Sequence, residues 1–143
     1  MKNILILLFL TFSLLTNAQR EQTHIPALKS IVGIWRQTGI ALTNGNTMDR
    51  LNGNYKVINA DGSYYTFVTW PNETVIGQYG TYKIKSDSIL VEHIIMHEMN
   101  SNLNGKDCTI KYKLIDETTL MMAWSFDNEK WVNEKWTRLP LAR

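Results

Sequence analysis

After Val32 the chain offers no stretch of helical period, only short apolar or alternating runs parted by turn residues, and that pattern restricts it to an all-β fold. Eight runs qualify as strands: 34–41, 54–59, 63–70, 75–85, 88–97, 108–115, 119–126 and 131–138. Asp61-Gly62 is a two-residue hairpin turn between the second and third. Ser86-Asp87, Asp116-Glu117 and Asp127-Asn128-Glu129-Lys130 serve the later connections. About eight strands joined mostly by tight turns close most simply as an antiparallel up-and-down barrel. Two connections, 42–53 and 98–106, are longer and polar, and neither has enough period to assign structure. Long loops on a tight meander are where binding is gated.

The ends bound the compartment. Residues 1–18 hold one cation, Lys2, an unbroken apolar run and the small residues around Thr16-Asn17-Ala18, which is the pattern of a secretory signal peptide. The apolar run falls short of the roughly 20 residues a membrane span requires. The expectation is therefore one exported domain, 19–143, periplasmic or extracellular, with no membrane span. Residues 20–25 read as a loose polar arm, and 26–32 as a short N-terminal helical turn begun by Pro26 and ended by Gly33. The 15 basic and 13 acidic residues are interspersed, so no basic face for nucleic acid is expected. Cys108 is the only cysteine and has no internal disulfide partner. An exported domain without bridges must rest on its core, which favours a closed architecture.

Alternation separates the two faces in a few runs. Cys108, Ile110, Tyr112 and Leu114 are predicted to point inward because Lys111 and Lys113 take the other face. By the same logic Tyr82 and Ile84 face in against Lys83 and Lys85, and Leu120, Met122, Trp124 and Phe126 form the inward set of the seventh run. In the fifth run both faces are apolar, so pattern does not choose between Glu92 and His93. Either one brings an ionisable group into the interior, and such a group needs a partner, for which tyrosines such as Tyr112, or an arginine, are the candidates.

Gly33-Ile34-Trp35 after a short turn, a meander of strands, and Trp136-Thr137-Arg138 at the far end together resemble the lipocalin and wider calycin group. The phrases Gly80-Thr81-Tyr82-Lys83-Ile84, Val91-Glu92-His93-Ile94 and Trp131-Val132-Asn133-Glu134-Lys135 are similar to small secreted bacterial lipocalin-like domains of unassigned function. The resemblance implies that Gly33 and Trp35 open the first strand, and that Arg138, beside Trp136 on the last, packs across Trp35 to close the barrel. It departs from longer lipocalins in having no extra helix and no disulfide.

The functional expectations follow from these readings. Tyr55, Phe67, Tyr82, Tyr112, Met122 and Trp124 are expected to line a lumen for a small hydrophobic or amphipathic molecule, with Glu92 or His93 orienting it. Plain core packing stands beside that reading, because eight-stranded barrels are narrow enough for side chains to fill. The alternative function is a filled barrel acting as a cell-envelope interaction module for protein or glycan, through Trp70, Trp131 and the 42–53 loop. His93 and His97 on one strand lie about 13 Å apart and cannot share a metal, so no metal or cofactor is expected. Glu92 and Glu134 are the only acids suited to acid or base work. There is no Gly-x-Ser-x-Gly and no phosphate-binding glycine loop, so binding rather than catalysis is the expectation.

Overall fold

The computed structural model describes residues 30–41, 47–49 and 53–140. The predicted signal peptide, the polar arm, the first half of the predicted helical turn and most of the 42–53 loop lie outside the described residues.

Nine strands follow one another among the described residues: β1 (Gly33–Ala41), β2 (Thr47–Asp49), β3 (Gly53–Ile58), β4 (Ser63–Thr69), β5 (Thr74–Ser86), β6 (Ile89–His97), β7 (Asp107–Leu114), β8 (Thr119–Ser125) and β9 (Val132–Arg138). All pairings are antiparallel between neighbours, and β9 returns to pair with β1, so β1 and β3 to β9 form a closed eight-stranded up-and-down barrel. The added strand β2 continues one edge of β1. Gly33–Arg36 of that edge pairs with β3, and Gly39–Ala41 pairs with β2. The 42–53 loop, to which the sequence assigned no structure, thus contributes a short strand. The 98–106 loop likewise contains a single 3-10 turn, Ser101–Leu103, whose start is capped by the Asn100 side chain.

Turn chemistry sets the register. Gly62 adopts φ 85°, and the Asp61 carboxylate accepts from the Ser63 amide at 2.9 Å and its hydroxyl at 2.6 Å, which locks the β3–β4 hairpin with Ile58 opposite Tyr64. Gly80 is required by crowding. A Cβ there would collide with the His93 carbonyl oxygen and press on the Tyr64 ring, so the bulge between Tyr79 and Gly80 lets that ring lie across the interior.

The barrel has two different halves. At the closed end, where the β3–β4, β5–β6 and β7–β8 turns meet, Ile31, Trp35, Ile58, Leu90, Ile110 and Leu120 pack into one apolar cluster. Tyr82 and Tyr112 lie against this cluster, and their hydroxyls donate to the backbone carbonyls of Asn59 at 2.7 Å and Ser86 at 3.1 Å. Ile84, expected inside, is 57% exposed. It sits at the end of β5 beside an irregular register step, where alternation no longer reports the face.

The seal is Arg138. Its guanidinium lies 4.1 Å from the centre of the Trp35 ring. Its Nη1 and Nη2 donate to the carbonyls of Val32 and Ser30, each at 2.5 Å, and its Nε donates to the Glu117 carbonyl at 2.7 Å. The Trp35 indole N–H donates to the Ile31 carbonyl at 2.7 Å. Residues 30–32 are therefore a bend held in place by a guanidinium and an indole, not part of a helix. Gly33 has φ 149°, and a Cβ at this position would strike the Arg138 guanidinium, so only glycine leaves room for the clasp. Trp136, also buried, follows Trp35 into the interior two residues before the arginine.

Arg138→Ala removes three charge-assisted hydrogen bonds and the ring contact together. It should lower unfolding free energy by about 3 kcal/mol in urea titration. Arg138→Lys should recover less than half of that, because an ammonium cannot span the three carbonyls while stacking on the indole.

Candidate functional site

The open half of the barrel is not filled. A cavity of about 280 Å³ occupies it, lined on its deeper wall by Gln37, Lys56, Glu92, Cys108, Glu134 and Trp136. Towards the mouth it is bordered by Asn54, Val68, His97, Leu103, Trp124 and Phe126.

The register explains why ionisable groups point into it. Lys56 pairs across β1 with Trp35 and across β4 with Thr66, so its side chain shares the inward face with the buried indole. Glu92 pairs with Tyr82 and Cys108 and also faces in, whereas His93 faces out. Lys56 and Glu92 are 6% and 4% exposed and form an ion pair across the lumen. The Lys56 ammonium also lies 4.8 Å from the Tyr64 ring centroid. The expected partners for the interior acid were tyrosines such as Tyr112, or an arginine; the structure pairs Glu92 with Lys56 and sets a tyrosine beside it too, Tyr64 rather than Tyr112. The Tyr64 hydroxyl accepts from Gln78 Nε2 at 2.5 Å. Burial, reinforced by the negative charge of Glu92, pushes this phenol well above its usual range.

Glu134 forms the second polar centre. One carboxylate oxygen accepts from the Trp124 indole N–H at 3.1 Å and the other from the Trp136 indole N–H at 3.0 Å. Desolvation raises the carboxyl pKa, opposed by the Lys56 charge and by the two indole donors. Relative to the unfolded chain this favours the protonated form, so ionising Glu134 lowers stability as pH rises above the ordinary 4.5. On β1, Gln37 accepts from Asn54 Nδ2 at 2.9 Å, which fixes another amide at the cavity wall.

The residues singled out in the sequence fall into distinct places. Glu92, Met122 and Trp124 line the cavity with their side chains inward. Tyr55 and Phe67 border the same cavity, but they pair with each other on the face opposite Lys56 and Thr66 and stack outside the barrel at 4.9 Å. Tyr82 and Tyr112 belong to the filled end and are not part of this cavity. His93 is exposed, with Nδ1 2.8 Å from the Asp107 carboxylate. Gly33, Trp35, Trp136 and Arg138 lie at the closing seam. Trp70 is 44% exposed at the β4–β5 turn, while Trp131 is covered by the Lys111 ammonium at 3.8 Å from its ring.

Lys56, Gln37, Tyr64 and Gln78 were not anticipated. The expectation of Tyr55 in the lumen would by alternation turn Lys56 outward, whereas the pairing of Lys56 with Trp35 turns it inward. The signal available was indirect, since an acid facing inward on β6 demands a cation from another strand.

The two candidate nucleophiles of the lining are Cys108 and Lys56. Cys108 is buried, and its thiol is pushed up to about 12 by desolvation and by the Glu92 charge, which holds it protonated. The Lys56 amine is engaged by Glu92. No group of three or more metal-ligating side chains occurs among the described residues. No helix among them is long and apolar enough to cross a membrane.

The buried pair predicts a specific mutational pattern. Glu92→Gln or Lys56→Met alone leaves one charge stranded, and each should lower unfolding free energy by about 3 kcal/mol. The double substitution Lys56→Met with Glu92→Leu should be less damaging than either single change, as read by urea denaturation. Simple addition of the two losses would contradict the pairing.

No curated protein matches the chain. A family model described as a domain of unknown function, DUF4488, matches residues 30–143, which is the span of the whole described barrel. With most of its length covered by that match, the chain belongs to the DUF4488 family.

Proposed function

We propose that this chain is an exported, non-enzymatic binding protein of lipocalin-like type, which holds one small amphipathic molecule in the open half of its barrel. The observation that carries the reading is the cavity itself. Its volume of about 280 Å³ is at the lower edge of the usual range for ligand pockets, and buried polar groups converge on it from several strands. A filled barrel, the alternative expected from sequence, would offer no such space.

The lipocalin-like assignment draws support from the closed eight-stranded meander and from the arginine stacked on the tryptophan of Gly33-Ile34-Trp35. Export is supported by the signal-like first 18 residues. A binding role rather than catalysis is supported by a thiol held protonated and an amine held in an ion pair.

Native mass spectrometry of protein purified from its own host should reveal a one-to-one adduct of low mass that is lost on denaturation. Val68→Phe, which narrows the cavity near its mouth, should reduce adduct occupancy at least tenfold while leaving the thermal midpoint within a few degrees. Protein that carries no adduct, and whose tryptophan emission ignores a panel of small amphipathic compounds, would refute the reading.

A further inference from the structure

The charge inside the cavity is unbalanced, and the imbalance indicates what the cavity prefers. Three lysine or carboxylate side chains converge there, Lys56, Glu92 and Glu134, beside the Cys108 thiol, with His97 and Tyr55 nearer the border. Lys56 and Glu92 neutralise one another. Glu134 has no ion-pair partner among the described residues, and both its hydrogen bonds come from neutral indoles. Two donors, one to each oxygen, are the arrangement that suits an ionised carboxylate, since a carboxylate accepts at both oxygens. Each oxygen also keeps a lone pair beyond its indole bond.

The surroundings complete the preference. Trp124 and Trp136 hold the carboxylate, and Phe126 meets Trp124 edge-on with ring centroids 5.8 Å apart. A negative charge set in an aromatic, largely desolvated wall attracts a cation more strongly than the same charge would in water. An anionic ligand would meet two carboxylates and a lysine already engaged. A neutral apolar ligand would leave Glu134 desolvated with only the charge of Lys56, already shared with Glu92, to offset it.

Resting on the binding function proposed above, we infer that the cavity selects a small organic cation, a protonated amine with an aryl or short alkyl body, whose ammonium pairs with Glu134 between Trp124 and Trp136. The size agrees. Benzene fits a dry cavity of about 150 Å³, so about 280 Å³ accepts a molecule of about a dozen non-hydrogen atoms. With an ordinary amine pKa close to that of lysine, such a molecule is cationic at neutral pH.

Three probes of matched size and different charge test this: 2-phenylethylamine, 2-phenylethanol and phenylacetate, titrated calorimetrically into the full chain and into the Glu134→Gln variant. The amine should bind the unaltered protein at least tenfold more tightly than either control. In Glu134→Gln the amine should fall to the level of the alcohol, with the alcohol unchanged within threefold. Because the ranking of the three probes on the unaltered protein needs no variant, the test stands even if Glu134→Gln does not fold. If the alcohol or the acid binds as tightly as the amine, the cation preference is overturned while the binding function survives. If none of the three binds and the purified protein carries no adduct, both are overturned.

Discussion

The barrel depends on one contact, the Arg138 guanidinium lying on the Trp35 ring and bonded to three backbone carbonyls. Closing a sheet requires its first and last strands to meet, and the β1–β9 seam joins residues about a hundred positions apart in sequence. Loop closure over that separation carries an entropic penalty that backbone pairing alone must overcome. The clasp adds a charged, directional contact at the end of the seam, and it draws in the bend at residues 30–32 and the β7–β8 turn as well. Gly33 is the backbone condition for it, since no other residue leaves space under the guanidinium.

From that seal upward, the interior changes character within a short distance. The closed half is an apolar cluster around Trp35, Leu90 and Leu120. Directly above it, Lys56 meets Glu92, and Glu134 sits between two indoles. Burying charge in this way adds little to stability compared with an apolar core of the same volume, and removing one partner is strongly destabilising. Polar groups kept at such a position while space remains above them are the arrangement expected of a recognition surface rather than of a core. The mouth is ordered by local side-chain bonds. His97 accepts from the Asn100 amide at 3.1 Å, and its own amide donates to Asn104 at 2.8 Å, so the 3-10 turn carrying Leu103 is latched over the opening. Opposite it, Asp127 accepts from the amides of Glu129 and Lys130 and from the Ser125 hydroxyl, contacts that draw its pKa down to about 2 and fix the β8–β9 turn beside Phe126.

Most of the architecture is legible in the sequence because turns and alternation are local signals. Asp61-Gly62, the lysine alternation of β7 and the paired motifs around Trp35 and Arg138 lead to the observed strands and to their closure. The cavity is less legible. Its position depends on cross-strand register, which local pattern does not report once a strand is polar or apolar on both faces. That is why Tyr55 and Phe67 were expected to line the lumen and Lys56 was not considered, when the pairing of Lys56 with Trp35 turns the lysine inward and leaves the two rings at the border of the cavity. Bulges on β5 interrupt alternation in the same way and leave Ile84 outside. Glu92 was recognisable as one of two possibilities, and its burial against Lys56, with His93 exposed beside Asp107 on the outer face, decides between them.

The division of the barrel into a solid end and a receptive end can be tested on the five tryptophans, whose indole N–H groups give separate signals in nitrogen-edited NMR spectra. On addition of 2-phenylethylamine, the Trp124 and Trp136 signals should move together with saturation, while Trp35, sealed beneath Arg138, stays in place. Movement confined to the exposed Trp70, a shift of Trp35 as large as those of the other two, or no movement of any indole would contradict the division.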